Sequence, residues 1–146
     1  MSALVTAFER LIPPKFLLTR QGSYWIVEEP RAGNSRFEVA GGKSHAFTLD
    51  QDGVHVFPFF SEELKGVKSV NDAIVIAIVG KDAYVVAVEM KTSRGQTGDA
   101  LKQIESGRLF AAWVRRLLGS YGHWTGGPCK FFGVVSLRPQ IGRAHV

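Results

Sequence analysis

Apolar positions are densest between Ala73 and Val88. There two runs, Ala73–Val79 and Ala83–Val88, flank the turn Gly80-Lys81-Asp82. Each run is strand-length and apolar on both faces, the pattern of strands inside a sheet. Leu4, Phe8 and Leu11 recur at helical spacing behind Ser2, a good N-cap, and Pro13-Pro14 ends that first helix. Lys15–Gln21 fits a further helical turn or a loop. Tyr24–Val27, Arg36–Val39 and Ala46–Leu49 are rich in β-branched and aromatic residues and predict strands, with a loop over Glu28–Ser35. Asp50-Gln51-Asp52-Gly53 is a turn. Val54–Phe60 alternates roughly and predicts one more strand, at an edge or with a bulge because of Pro58. Ser61–Leu64 opens a short helical turn. Leu101, Ile104, Phe110 or Ala111, Val114 and Leu118 make a helical stripe over about 99–118, capped by Thr97 or Asp99. Lys130–Leu137 predicts a last strand, and the tail from Arg138 is expected to be loose.

These elements predict an α/β protein: a central mixed β-sheet flanked by helices, in one domain over residues 1–146. The long helix crosses from the second strand of the hairpin to the last strand, which fits a parallel pairing of those two strands.

Three charges stand at the ends of the apolar hairpin: Asp72 before it, Glu89 and Lys91 after it. Residues two apart in a strand share a face, so Glu89 and Lys91 point the same way. A two-residue loop at Gly80-Lys81 sets Asp72 opposite Glu89, and a four-residue loop sets it opposite Lys91. Either places all three on one face. A three-residue loop sends Asp72 to the other face. Two carboxylates opposed across a hairpin repel each other unless a cation lies between them.

Composition narrows the class. With 45% hydrophobic and 21% charged residues the chain is an ordinary globular one, and no apolar run reaches the roughly 18 residues of a membrane span. The start lacks a signal-peptide pattern, and one cysteine, Cys129, excludes an internal disulfide and a multi-cysteine zinc site. A cytoplasmic protein without a membrane partner is expected. The net charge of +5 is uneven: residues 1–73 hold eight Lys/Arg against nine Asp/Glu, whereas residues 74–146 hold ten against four. A basic half suits a polyanion such as nucleic acid.

Asp72, Glu89 and Lys91 on one face make a reasonable Mg²⁺ site, since Mg²⁺ uses one or two carboxylates with phosphate and water. The backbone carbonyl of Met90 lies between Glu89 and Lys91 and adds a ligand. Lys91 is then placed to orient a metal-bound water or to neutralise charge on phosphate. Asp72, then Glu89-Met90-Lys91 at the end of an apolar strand, then a helix, resembles the PD-(D/E)xK nuclease superfamily, the restriction-endonuclease-like fold. That resemblance implies an αβββαβ core and a metal-dependent nuclease that hydrolyses phosphodiester bonds, with Mg²⁺ as cofactor and Mn²⁺ as substitute. It implies DNA ahead of RNA as partner, and a homodimer is one way for so small a domain to cut both strands. By motif, Asp72 and Glu89 are metal ligands and Lys91 the catalytic lysine. Gln103 matches a glutamine that assists at the active site in several branches, and Glu9 sits where some members carry a further acidic ligand. Asn71 stands where the motif has proline, and Gly107 stands where one branch has a tyrosine after the glutamine.

Other readings remain open. Glu89 and Lys91 also suit an ordinary ion pair at a sheet edge, and the fold also suits a non-catalytic nucleic-acid-binding or protein-interaction module, or an RNA-cleaving toxin. Gly41-Gly42-Lys43-Ser44 ends like a phosphate loop but has Phe37 where the first glycine belongs. The four histidines lack metal-pair spacing. Thr92, Ser93 and Arg94 are candidates to touch phosphate. Tyr121 and Trp124 are candidates to stack on bases or to anchor their loop.

Overall fold

The computed structural model describes residues 3–29, 35–40, 42–91, 94–137 and 141–145. A first helix, α1 (Ala3–Leu11), buries Leu4, Val5 and Phe8, and Ile12 just beyond its end is buried as well. Leu11 is instead exposed, because the inward stripe runs 4, 5, 8, 12 rather than 4, 8, 11. The segment Lys15–Gln21 divides into a 3-10 turn (Pro14–Phe16) and a short strand, β1 (Thr19–Gln21). Then come β2 (Tyr24–Glu29), β3 (Ser35–Ala40) and β4 (Lys43–Phe47).

Val54–Phe60 is not a strand. Pro58 fixes φ and removes a donor in the middle of the run. The three phenylalanines pack on one another instead, with Phe57 stacked on Phe60 at 5.4 Å. Turns continue through Ser61–Leu64. The hairpin strands β5 (Ala73–Val79) and β6 (Asp82–Met90) follow, then a 3-10 turn, then α2 (Thr97–Ser120). Gln96 flanks the start of α2 without a side-chain cap, and Asp99 lies in the first turn, where a carboxylate favours the helix dipole. The buried stripe of α2 is Ala100, Ile104, Gly107, Ala111, Val114 and Leu118, while Leu101 faces outward.

β7 (Cys129–Ser136) is parallel to β6, as the crossover requires. Among the described residues the strands form two four-stranded sheets, in the orders β4-β5-β6-β7 and β1-β2-β3 followed by β8 (Ile141–His145). The expectation of a loose tail is corrected here. Ile141–His145 lies parallel to β3, whose free edge supplies the ladder that the tail's own sequence does not advertise.

The site is positioned by the layering. On one face of β4-β5-β6-β7, Phe47, Ile74, Ile76 and Val85 meet α1 and α2 in one core. On the other face Ala73, Val75, Val86, Val88 and Met90 meet Trp25, Val27 and Val39 of the second sheet. Gly133 lets α2 approach β7 closely: a Cβ there would come within 2.7 Å of Ile104 Cγ2.

Candidate active site

The hairpin register decides the geometry. Val79 pairs with Asp82 and Ala73 with Val88, so Gly80-Lys81 is a two-residue loop. Gly80 takes φ +62°, a conformation open to glycine. Extending that register one step sets Asp72 opposite Glu89, on the face covered by the helices. Asp72 and Glu89 are both buried, Glu89 to 1% exposure. Each carboxylate is held by the other strand's backbone. The Asp72 N–H donates to Glu89 Oε1 at 3.1 Å, and the Met90 N–H donates to Asp72 Oδ2 at 2.6 Å. Asn71 ties the mouth of the hairpin, its Nδ2 donating to the carbonyls of Ala73 and, at 3.3 Å, Val88.

Lys91 lies on the same face, its Nζ 3.4 Å from Glu89 Oε2. The Lys91 N–H donates to Ser136 O on β7 at 2.7 Å. Successive residues of a strand turn their backbone groups to opposite neighbours. Met90 therefore directs both its N–H and its carbonyl to the β5 side, where Asp72 sits. Burial pushes the Glu89 carboxyl above the usual carboxylate range, and the hydrogen bond with Asp72 and the Lys91 charge oppose that rise.

A cleft of about 640 Å³ opens beside the pair. Lys65, Val67 and Ser69 form one wall, Asp99, Lys102, Gln103 and Ser106 of α2 the other, and Lys91 reaches in as well. Gln103 donates through Nε2 to Val70 O at 3.5 Å, and its buried Oε1 has no hydrogen-bond partner. Sequence reasoning missed the wall formed by Lys65 and Ser69. The available signal was a lysine- and glycine-bearing loop running straight into Asn71-Asp72.

The remaining candidates do not gather here. Glu9 is exposed on α1, and its charge acts on His45, whose protonation burial disfavours. Among the described residues no group of three or more His, Cys, Asp or Glu side chains comes together to hold an ion, so Glu9 does not join Asp72 and Glu89. Thr92 and Ser93 lie outside the described residues, as does the side chain of Arg94. Ser44 accepts a hydrogen bond from Trp25 Nε1 at 2.9 Å inside β4, so Lys43-Ser44 is strand rather than the end of a phosphate loop, and Gly41 lies outside the described residues. Trp124 lies under the Arg115 guanidinium, 5.1 Å from its centre, which anchors that loop. Cys129 is half-buried, and burial pushes its thiol up. Among the described residues no helix is long and apolar enough to cross a membrane.

The donors present suit a small hard cation. Asp72 and Glu89 stand opposite each other, and Glu89 Oε2 is buried beside Lys91 Nζ with no hydrogen bond. Such a set leaves positions for water and phosphate, as Mg²⁺ prefers. No family model, curated protein or solved structure matches this chain.

Proposed function

We propose that this protein is a metal-dependent nuclease of the PD-(D/E)xK type, hydrolysing phosphodiester bonds in nucleic acid, with DNA the first substrate to test. One observation carries the proposal: Asp72 and Glu89 are opposed and buried on one face, with Lys91 Nζ 3.4 Å from the unbonded Glu89 oxygen. With β1, β2, β3 and β8 set apart in the second sheet, the remaining elements α1, β4, β5, β6, α2 and β7 run helix, three strands, helix, strand, the order of that fold, and this supports it.

Asp72, Glu89 and the Met90 carbonyl would hold the cation, which when bound would supply Lewis acidity for phosphodiester hydrolysis. Lys91 orients the attacking water and neutralises charge that builds on the phosphate oxygens. The water oxygen forms the new bond to phosphorus, the ester P–O bond breaks, and a proton passes to the departing alkoxide. Lys65 and Lys102 flank the cleft and hold the anionic backbone, a contact that weakens with salt.

Supercoiled plasmid incubated with Mg²⁺ or Mn²⁺ tests this. Wild type nicks it, EDTA stops the reaction, and Lys91→Ala and Asp72→Ala lower the rate by about 10²-fold or more. Equal cleavage by wild type and Lys91→Ala refutes the nuclease. A second function, a binding module without turnover, is favoured by one fact: no third acidic or histidine side chain joins the pair among the described residues. Binding without cleavage under both metals selects it.

A further inference from the structure

The cleft does not end at Ser106. Lys102, Ser106, Phe110 and Trp113 follow at spacings of four, four and three, so one face of α2 leads from the cleft to an aromatic ridge. That path is about 16 Å long at 1.5 Å per residue. The loop that supplies Lys65 and Ser69 runs beside it and contributes Phe57, Phe59 and Phe60. The rings form a continuous ladder: Phe59 to Phe60 at 4.7 Å, Phe60 to Phe57 at 5.4 Å, Phe57 to Phe110 at 6.4 Å, Phe110 to Trp113 at 6.1 Å. Phe110 is fixed to the core through Phe47 at 6.3 Å. The two ends of the ladder are open to solvent, Phe59 at 73% and Trp113 at 53% exposure.

We propose that cleft and ridge form one track for single-stranded nucleic acid, the lysines holding phosphates and the bases stacking on Phe59 and Trp113. It rests on the nuclease reading for the chemistry at the cleft, but its binding prediction stands apart from turnover. The occupant follows from two complementary halves. Lys65, Lys91 and Lys102 face a polyanion, and exposed rings anchored from behind face flat apolar surfaces. A single strand carries both in one polymer, whereas a duplex hides its base faces in its own stack. Leu109 and Leu117 are also exposed along this side of α2, which makes a second copy of the chain the competing occupant. A protein partner gives no use to the lysine-lined cleft that continues the ridge.

The test is binding in EDTA, which stops cleavage. Anisotropy of labelled oligo-dT and oligo-U of about ten nucleotides is compared with that of a hairpin duplex, for wild type, Phe59→Ala, Trp113→Ala, Phe59→Trp and Lys91→Ala. Single strands are expected to bind about tenfold tighter than the duplex. Each alanine variant is expected to lose about tenfold, and Phe59→Trp to keep the affinity. Binding is expected to quench intrinsic fluorescence in wild type and much less in Trp113→Ala. The oligo-dT and oligo-U arms separate DNA from RNA. Equal duplex affinity, or alanine variants that bind like wild type, overturns the track. So does loss of self-association in those variants, by light scattering, with oligonucleotide affinity unchanged. Aromatic-dependent binding with no Mg²⁺- or Mn²⁺-dependent cleavage of either plasmid or the labelled single strands sinks the nuclease and leaves the track. Nicking with no aromatic dependence does the reverse.

Discussion

Replacing Gly107 by alanine sets two effects of opposite sign against each other. Within a helix, alanine is favoured over glycine by about 1 kcal/mol. Gly107, however, faces Asn71. A Cβ there would meet Asn71 Oδ1 and lie 2.9 Å from its Cγ and 3.4 Å from its Nδ2. Carbon atoms settle at about 3.5–4.0 Å, so one of the two must move. Asn71 cannot give way easily, because it is 2% exposed and its Nδ2 holds the carbonyls of Ala73 and Val88. Overpacking of this kind costs about 2 kcal/mol, and losing the longer hydrogen bond adds about 1 kcal/mol. After the helical gain, Gly107→Ala is expected to be less stable than wild type by about 2 kcal/mol. Urea unfolding followed by circular dichroism reads this as a lower midpoint at unchanged slope. Adding Gly107→Ala to an Asn71→Ala background should cost nothing further, because the obstructing side chain is gone. A Gly107→Ala protein more stable than wild type by the helical increment would refute the close contact, and with it the role of α2 in fixing the mouth of the hairpin next to Asp72.

Three further outcomes are expected. Glu89→Gln should raise metal-free stability near neutral pH while abolishing metal-dependent cleavage. The folded Glu89 pKa lies above its unfolded value, so folded protein holds the proton more tightly. Wild-type stability therefore falls as pH rises from the ordinary glutamate range through the raised one and is flat above it. Urea midpoints against pH check this, and parallel profiles for the two proteins would mean that burial does not govern Glu89. Mg²⁺ at about a hundred times its dissociation constant should stabilise wild type by about 2.7 kcal/mol in thermal melts, and Asp72→Ala should not respond. Lys102→Ala should weaken oligonucleotide binding without regard to sequence and lower the salt slope by about 1.

The hairpin, the crossover helix and the parallel last pair were legible because period and length alone specify them. Leu11, Leu101 and Val54–Phe60 were misread for related reasons. A helical stripe can be drawn through several apolar positions, and only packing selects one. Phenylalanines around Pro58 look like a strand until they find each other. β8 was invisible because Ile-Gly-Arg-Ala-His has no alternation; it takes its form from the edge of β3. At the site, parity put Asp72 on the face of Glu89 only for an even loop, and the two-residue turn at Gly80 decided it. Asn71 was marked only as a departure from a motif, and nothing in its neighbours in sequence indicates that it bonds two strands and packs on Gly107. Lys65 belongs to the cleft through a loop whose path no pattern fixes.

The two-residue turn at Gly80 also bears on the order in which the molecule assembles. Loop closure costs least for the shortest loops. The step that brings Asp72 to Glu89 closes within a single hairpin, and hairpins form in about 1–10 μs. Lys91 is fastened to Ser136 only after α2 has crossed over, and β8 reaches β3 from the far end of the chain. Along such a sequence two acidic groups face each other before their lysine is secured. A divalent cation present in the refolding buffer would then act on the rate of folding, not only on the stability of what has folded.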